Sequence, residues 1–153
     1  MPDSLIILQT TDSTNNYAMG LVKNGLAEHG TAVFAYQQTA GKGRRGKVWE
    51  TNAGENIILS VVLKTIGFNI ANQFAVSIAA SLAGYQLMQK YFNHNLKIKW
   101  PNDIYLNDMK AGGILIENLI SGKQWQWSVI GIGLNINQTE FDPQYTVDFF
   151  AGY

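Results

Sequence analysis

The sequence predicts an α+β domain with a mixed, largely antiparallel sheet and helices packed on one face. Three observations predict it. The chain has 153 residues, a length that suits one domain. Only two stretches have the apolar spacing of a helix, and most of the predicted strands follow one another directly along the chain. Because strict strand–helix–strand alternation is missing, a doubly wound parallel sheet is disfavoured.

The first half of the chain predicts one helix among three strands. N-cap residues at positions 11–14 precede apolar residues at helical spacing, which predicts a helix over residues 13–27 that ends near Gly30. Residues 40–56 contain four glycines and four cations and predict a long loop. The strands are predicted from short apolar or β-branched runs at residues 5–9, 31–37 and 56–64.

The second half predicts another helix and then a run of strands. The helix is predicted over residues 69–91 from an apolar stripe beside small residues that permit close packing. The stripe consists of Phe74, Ile78, Leu82, Tyr85 and Met88, and the small residues are Ala79, Ala80, Ala83 and Gly84. Alternating or continuous apolar patterns predict strands at residues 96–100, 104–106, 111–119 and 125–137.

Composition excludes several classes of function. Eleven basic and eleven acidic residues give a formal net charge of zero, so no global field attracts nucleic acid or a membrane. The absence of cysteine excludes disulfides, thiolate zinc sites and cysteine nucleophiles. The first residues lack a signal-peptide pattern, and no apolar run approaches the ~20 residues of a membrane span. We therefore expect a cytoplasmic protein, and no side-chain constellation predicts a metal site.

The first candidate site is the basic loop Gly41-Lys42-Gly43-Arg44-Arg45-Gly46-Lys47. Its glycines let backbone N–H groups approach a ligand, and its cations neutralise phosphate or carboxylate, which favours a small anionic ligand. A solvated basic loop is an equally good interpretation of this stretch alone. The spacing also fits a P-loop, but Val48 stands where magnesium ligation needs Ser or Thr, so we reject the P-loop.

Two other regions carry candidate ligand contacts. Residues 12–16 lie at a predicted helix N-terminus, where N–H groups, hydroxyls and amides suit a neutral polar ring, although helix capping alone explains them better. The stretches 99–105 and 110–115 place lysines and paired glycines at strand ends. That arrangement suits either a ligand cleft or a hairpin with surface lysines.

A last glycine pair lies in residues 131–137. The stretch lacks the third glycine of the dinucleotide-binding fingerprint, and no helix pattern follows it. Gly131 and Gly133 are instead expected to clear space beside a bound ligand, with Asn135 as a polar contact.

In order and spacing, these stretches together resemble the biotin–protein ligase family. The resemblance covers residues 5–138 and rests on Ser13-Thr14-Asn15, Gln38 to Gly46, Trp49, Lys99-Trp100-Pro101-Asn102-Asp103, Lys110 to Leu115 and Gly131 to Asn135. It implies a fold like the class II aminoacyl-tRNA synthetase core. It also implies ATP-dependent activation of biotin to biotinyl-5′-AMP, followed by transfer to a lysine of a biotin carboxyl carrier protein.

The resemblance also implies roles for individual residues. The implied catalytic residues are Arg44 and Lys110, the cations that face the biotin carboxylate and the ATP α-phosphate. The implied biotin site consists of Ser13, Thr14, Asn15, Gln38, Gly41, Lys42, Arg44, Lys110 and Gly113. The implied nucleotide site consists of Arg44, Arg45, Trp49, Asn102, Lys110 and Asn135. Biotin and ATP are the implied substrates, with Mg²⁺ as the accompanying ion.

Two departures from the family pattern matter. Lys42 stands where many members have arginine, and lysine lacks the rigid bidentate fork. Residues 141–153 do not resemble the family's continuation. Residues 1–153 are therefore expected to be a ligase-type catalytic domain shortened at its C-terminus, without the C-terminal β-barrel or an N-terminal helix-turn-helix. The implied partner is the carrier domain of a biotin-dependent carboxylase, with no nucleic acid and no membrane, and a homodimer is one assembly open to the chain.

Three other functions stay open. A lipoate–protein ligase would use the same adenylation chemistry, but residues 41–46 and 99–103 match the biotin branch better. A shortened chain could also bind biotin without completing its transfer. An RNA-binding protein that uses Arg44 and Arg45 is disfavoured by the zero net charge.

Overall fold

The structure, a computed structural model, describes residues 5–92 and 95–141. In these residues the chain forms seven strands and two helices. The strands are β1 (Leu5–Thr11), β2 (Ala32–Gln38), β3 (Asn56–Lys64), β4 (Leu96–Lys99), β5 (Asp103–Leu106), β6 (Met109–Ser121) and β7 (Gln124–Asn135). The helices are α1 (Thr14–Lys23) and α2 (Gln73–Gln89). Each predicted strand and both predicted helices are present.

All seven strands form one sheet in the order β1-β2-β3-β7-β6-β5-β4. Only β1 and β2 pair in parallel, and every other neighbouring pair in the sheet is antiparallel. The helix α1 provides the crossover that a parallel pair needs, whereas tight turns suffice for the hairpins of the second half. The predicted mixed, largely antiparallel sheet is confirmed.

The two helices pack on opposite faces of the sheet. Val62 of β3 and Val129 of β7 pack with α1, whereas Leu134 of β7 packs with Met88 of α2. Val129 and Leu134 are five positions apart in a strand that pairs without interruption, so their side chains point to opposite sides. We call these sides the α1 face and the α2 face. The expected coverage of a single face is thus not what the structure shows, because the central strands are apolar on both sides.

Helix α2 presents its small residues to the sheet. Its buried positions are Ala80, Ser81, Gly84 and Met88. A Cβ on Gly84 would lie 2.9 Å from Ile104 Cδ1, which shows how closely the helix approaches. Three members of the predicted apolar stripe, Phe74, Ile78 and Leu82, are instead 49%, 48% and 44% exposed. For them the predicted burial is wrong, since close approach to the sheet selects small side chains.

The helix limits differ from the predicted ones for local reasons. Helix α1 ends at Lys23 because Gly25 adopts a φ of 68° and turns the chain away. Helix α2 begins at Gln73 because the preceding Ile70–Asn72 forms a 3-10 turn. The Asn69 side chain accepts a 2.9 Å hydrogen bond in that turn.

Two sequence expectations concern regions outside the sheet. Neither described helix is long and apolar enough to cross a bilayer. The segment expected to depart from the family pattern, residues 141–153, lies outside the described residues from position 142 onward.

Candidate active site

A cavity of about 730 Å³ lies on the α1 face. Strands β3, β6 and β7 form its floor. The first turn of α1, the loop between β2 and β3 and the turn between β4 and β5 form its walls. Twelve of the thirteen predicted site residues line it: Ser13, Thr14, Asn15, Gln38, Lys42, Arg44, Arg45, Trp49, Asn102, Lys110, Gly113 and Asn135.

Gly41 is the predicted site residue that does not line the cavity. A Cβ there would overlap the Trp49 carbonyl oxygen and lie 2.8 Å from Gln38 Nε2. Its carbonyl accepts a 2.9 Å hydrogen bond from the Trp49 N–H. Gly41 therefore closes the base of a loop beside Gln38 and Trp49, two residues that do line the cavity, and its expected contact with the ligand stays a prediction.

The start of α1 does more than cap the helix. Ser13, the N-cap residue, makes no side-chain capping hydrogen bond, yet it is buried and lines the cavity. The exposed Asp12 accepts hydrogen bonds from the Ser13 N–H at 2.7 Å and from Asn16 Nδ2 at 2.6 Å. The Asn16 bond and then the Ser13 bond hold the pKa of Asp12 below its usual value. Capping alone therefore does not account for these residues.

Four polar side chains form an oxygen-rich cluster beside the cavity. Ser60 Oγ lies 2.6 Å from Asn15 Oδ1 and 2.8 Å from Thr14 Oγ1, which in turn lies 3.2 Å from Gln38 Oε1. The amide oxygens can only accept hydrogen bonds. The hydroxyls of Ser60 and Thr14 therefore supply just two protons for these three oxygen–oxygen contacts. Acceptors are in excess, although the Thr14 N–H also donates to Gln38 Oε1 at 2.8 Å. A ligand that brings N–H donors suits this cluster.

Asn15 is fixed by contacts on every side of its amide. Besides Ser60, its Nδ2 donates to Glu117 Oε2 at 2.9 Å and to the Leu115 carbonyl at 3.3 Å. A Cβ on Gly131 would overlap Asn15 Oδ1. Gly131 therefore clears space for a protein side chain, where sequence reasoning expected a ligand.

Residues 41–49 form a basic flap over the cavity. Lys42 and Val48 bridge as in a short antiparallel ladder, and the Gly43 N–H donates to the Lys47 carbonyl at 2.7 Å. Arg45 has a φ of 55°, and Gly46 one of 77°, which lets the chain reverse. No helix follows, in agreement with the rejection of a P-loop.

Arg44 ties the flap to the opposite wall. Its Nη1 donates to Asn102 Oδ1 at 2.9 Å, and Asn102 Nδ2 donates to the Ile114 carbonyl at 2.7 Å. Asn102 lies in the turn between β4 and β5, directly after the cis peptide bond Trp100–Pro101. The structure thus brings together two motifs that lie 58 positions apart in the chain.

The Trp49 indole lies across two glycines. A Cβ on Gly133 would be 2.5 Å from its Cε2, and one on Gly113 would be 3.0 Å from its Cζ3. Among the described residues, Trp49 Nε1 and Asn135 Oδ1 are buried without a hydrogen-bond partner. Both residues line the cavity. One unpaired donor and one unpaired acceptor are what the edge of a heteroaromatic base can satisfy.

The cavity is strongly cationic although the chain is neutral. Its lining holds six cations, Lys42, Arg44, Arg45, Lys47, Lys99 and Lys110, against two carboxylates, Glu50 and Asp103. Lys110 pairs with Asp103 at 3.0 Å, each side chain being 25% exposed, and its Nζ lies 5.5 Å from the centre of a Trp49 ring. This excess of positive charge favours an anionic ligand.

The predicted site residues do not include Ser60, Asp103 or Glu117, although Asp103 belongs to the candidate stretch 99–105. Ser60 is a polar residue in the apolar strand β3, and Glu117 is a charge in the apolar strand β6. A polar residue in a buried strand needs a partner, and that was the available signal. In the part of the chain that the structure describes, no group of three or more His, Asp or Glu side chains could hold a metal.

Comparisons with known proteins agree with this geometry. The profile of the Biotin/lipoate A/B protein ligase family matches residues 7–135. The biotin–[acetyl-CoA-carboxylase] ligase of Paracoccus denitrificans is 41% identical over 133 residues, 85% of this chain and 53% of that protein. The bifunctional ligase/repressor BirA of Escherichia coli is 34% identical over 134 residues, 88% of this chain and 40% of that protein.

Solved structures agree as well. A biotin protein ligase from Aquifex aeolicus in complex with biotin and ATP superimposes with a TM-score of 0.76 at 28% identity. The match covers 94% of this chain and 57% of that one. The chain thus spans about half the length of the curated relatives it matches.

Proposed function

The chain belongs to the biotin/lipoate A/B protein ligase family, and from that premise we propose that it works as a biotin–protein ligase. In the proposed reaction, biotin and ATP form biotinyl-5′-AMP and pyrophosphate. A lysine amine of a biotin carboxyl carrier protein then attacks the acyl carbon, AMP leaves, and the nitrogen loses a proton. The single observation that carries the proposal is one cavity that joins an acceptor-rich cluster to a concentration of cations.

The acceptor-rich cluster supports biotin as the acid. A ureido ring brings two N–H donors, and Asn15, Thr14 and Gln38 present more acceptor oxygens than protons. Each N–H donated to these oxygens adds a hydrogen bond that the two hydroxyl protons cannot supply, a net gain of about 0.5–1.5 kcal/mol. We assign Ser13, beside the cluster, to the same ring.

The cations support adenylation at the other end of the cavity. A biotin carboxylate is ionised near neutral pH and needs no general base. Its approach to a phosphate costs about 4 kcal/mol per charge pair at ~4 Å and an effective dielectric of ~20. Arg44 and Lys110 are placed to offset that repulsion and the charge that develops in the transition state. Lys42 and Gly113 complete the proposed biotin site.

The unpaired atoms around Trp49 support a nucleotide. We assign the Trp49 Nε1–H and Asn135 Oδ1 to the base, and Arg45 and Asn102 to the ribose-phosphate side. Mg²⁺ fits as an ion carried by the phosphates, where it would supply further positive charge, because such ions need only one or two protein carboxylates. Asp103 and Glu50 are the carboxylates within the cavity.

The alternative acid, lipoate, fits the cluster less well. Its dithiolane ring carries no N–H donor, so the spare acceptor capacity of Asn15, Thr14 and Gln38 would stay unused around it. That observation favours biotin between the two branches of the family. The carrier domain as partner, a cytoplasmic location and a homodimer are further parts of the proposal.

Mass spectrometry of the reaction products tests the proposal directly. The chain is incubated with ATP, Mg²⁺ and either biotin or lipoate, and the acyl-AMP is weighed. We expect biotinyl-AMP and little lipoyl-AMP. Absence of both products would overturn the proposal, and a preference for lipoyl-AMP would support the alternative branch. Addition of a carrier domain then separates a ligase from a module that stops at the adenylate.

A further inference from the structure

Glu117 is a carboxylate that the proposed reaction does not use. It lies on β6, on the α1 face, and 33% of its side chain is exposed. Its Oε2 accepts from Asn15 Nδ2 at 2.9 Å, and its Oε1 lies 3.4 Å from Lys42 Nζ. One carboxylate therefore joins the amide of the polar cluster to a cation of the flap.

The two contacts of Glu117 differ in what they require. Asn15 needs only an acceptor oxygen, and an amide could supply it. Lys42 pairs with the negative charge itself. Lys42 also lines the cavity and lies two positions before Arg44 in the flap, so its ammonium group can turn from Glu117 towards the ligand carboxylate at Arg44, and the two anions compete for it. A lysine is a point charge on a flexible stem, and its side chain here is 42% exposed, so it can turn towards either anion.

We propose that Glu117 lowers the preference of the cavity for anionic over neutral ligands, because its carboxylate competes with the ligand carboxylate for Lys42. Glu117 acts through Lys42 and is a positioning residue. The inference rests on the proposed biotin site. Because the ion pair is partly exposed, removal of the competing charge is expected to change affinity by about two- to fivefold.

The test compares biotin with its uncharged carboxamide in the Glu117→Gln variant, which keeps an acceptor for Asn15. Calorimetry at low salt should show the Kd of biotin falling about two- to fivefold while that of the carboxamide stays constant. The difference should shrink at 1 M salt, where the Debye length is about 3 Å. Asp108→Asn is the matched control, since Asp108 forms an exposed ion pair with Lys97 at 2.9 Å.

The possible outcomes distinguish a failure of the inference about Glu117 from a failure of the proposed ligase function. If Glu117→Gln weakens both ligands equally, or leaves their ratio unchanged, Glu117 has only a structural role and the inference fails. In a Lys42→Met background the Glu117→Gln change should have no further effect on the ratio, and a persisting effect would also refute the competition. Failure of the wild-type chain to bind either ligand would instead overturn the proposed function and the inference with it.

Discussion

Substitution of Gly131 by alanine tests the architecture of the polar cluster. Gly131 has no positive φ, so the backbone accepts alanine, and only the space above it decides the outcome. That space holds the Asn15 amide, whose Cγ and Nδ2 would lie 3.0 Å and 3.2 Å from the new Cβ, with Oδ1 closer still. Asn15 is 3% exposed, so its amide cannot move aside without giving up its buried hydrogen bonds.

The magnitude follows from the hydrogen bonds that must break. A displaced Asn15 amide loses Ser60, Glu117 and the Leu115 carbonyl as partners. An orphaned buried amide costs about 1–3 kcal/mol. The reduced freedom of the unfolded chain returns about 0.4–1 kcal/mol. The middle of the two ranges leaves a net loss of about 1.3 kcal/mol, which lowers the urea midpoint by roughly 0.6 M at an m-value of about 2 kcal/mol per M.

Urea unfolding, followed by circular dichroism, measures this loss. The matched control is Gly20→Ala in α1, where a Cβ meets nothing within 4 Å and a gain of about 0.5–1 kcal/mol is expected. In the double variant Asn15→Ala, Gly131→Ala, the combined loss should be smaller than the sum of the single losses, because the clash is gone. A Gly131→Ala chain as stable as wild type, or strict additivity, would refute the reasoning.

Three further predictions concern catalysis and pH. Lys110→Ala should abolish formation of biotinyl-AMP with little change in circular dichroism, because it removes the cation that Asp103 holds at 3.0 Å within the cavity. Arg44→Gly should release the adenylate faster by about tenfold or more in a filter-retention assay, because a charge-assisted contact and the tie to Asn102 are lost. Asp12 has a lowered pKa in the folded state, so its stabilising contribution is present above its unfolded value, 3.8, and is lost as the pH falls through the folded value. Asp12→Asn should flatten the acid limb of the stability–pH curve by roughly 0.5 kcal/mol or less, since the group is exposed.

Each of these predictions has a control. Lys97→Ala removes an exposed lysine outside the cavity and should leave adenylate yield unchanged. Wild-type adenylate yield in Lys110→Ala would contradict the role assigned to that residue. Unchanged retention of the adenylate by Arg44→Gly would contradict the role assigned to Arg44 and its hydrogen bond to Asn102. An acid limb that is identical in wild type and Asp12→Asn would show that this carboxylate has no linkage to folding.

Local patterns were sufficient where one short stretch determines its own structure. Strand β3 has the predicted limits at residues 56–64, because a β-branched run between a loop and a turn has few alternatives. Helix α2 shows the opposite case. Its apolar residues surround the helix, so periodicity did not tell which side meets the sheet, and Phe74 and Ile78 are exposed.

The glycines show why the details of the site could be learned only from the tertiary structure. Sequence reasoning expected Gly131 and Gly133 to leave room for a ligand. In the structure, the neighbours are Asn15, 116 positions away from Gly131, and the Trp49 indole above Gly133. A missing side chain marks a close approach, but only the fold decides what approaches.

The sequence by itself determined the chemistry available to this protein: no thiol, a neutral chain, one cationic loop, and motifs whose order identifies the family. Tertiary structure alone decided which side chains lie together at the cavity and which hydrogen bonds form between them. Hydrogen bonds and ion pairs act over about 3 Å, whereas Glu117 and its partners Asn15 and Lys42 lie 102 and 75 positions apart in the chain. Positions this far apart in the sequence do not reveal which side chains come within about 3 Å of each other, because the folding of the sheet decides it.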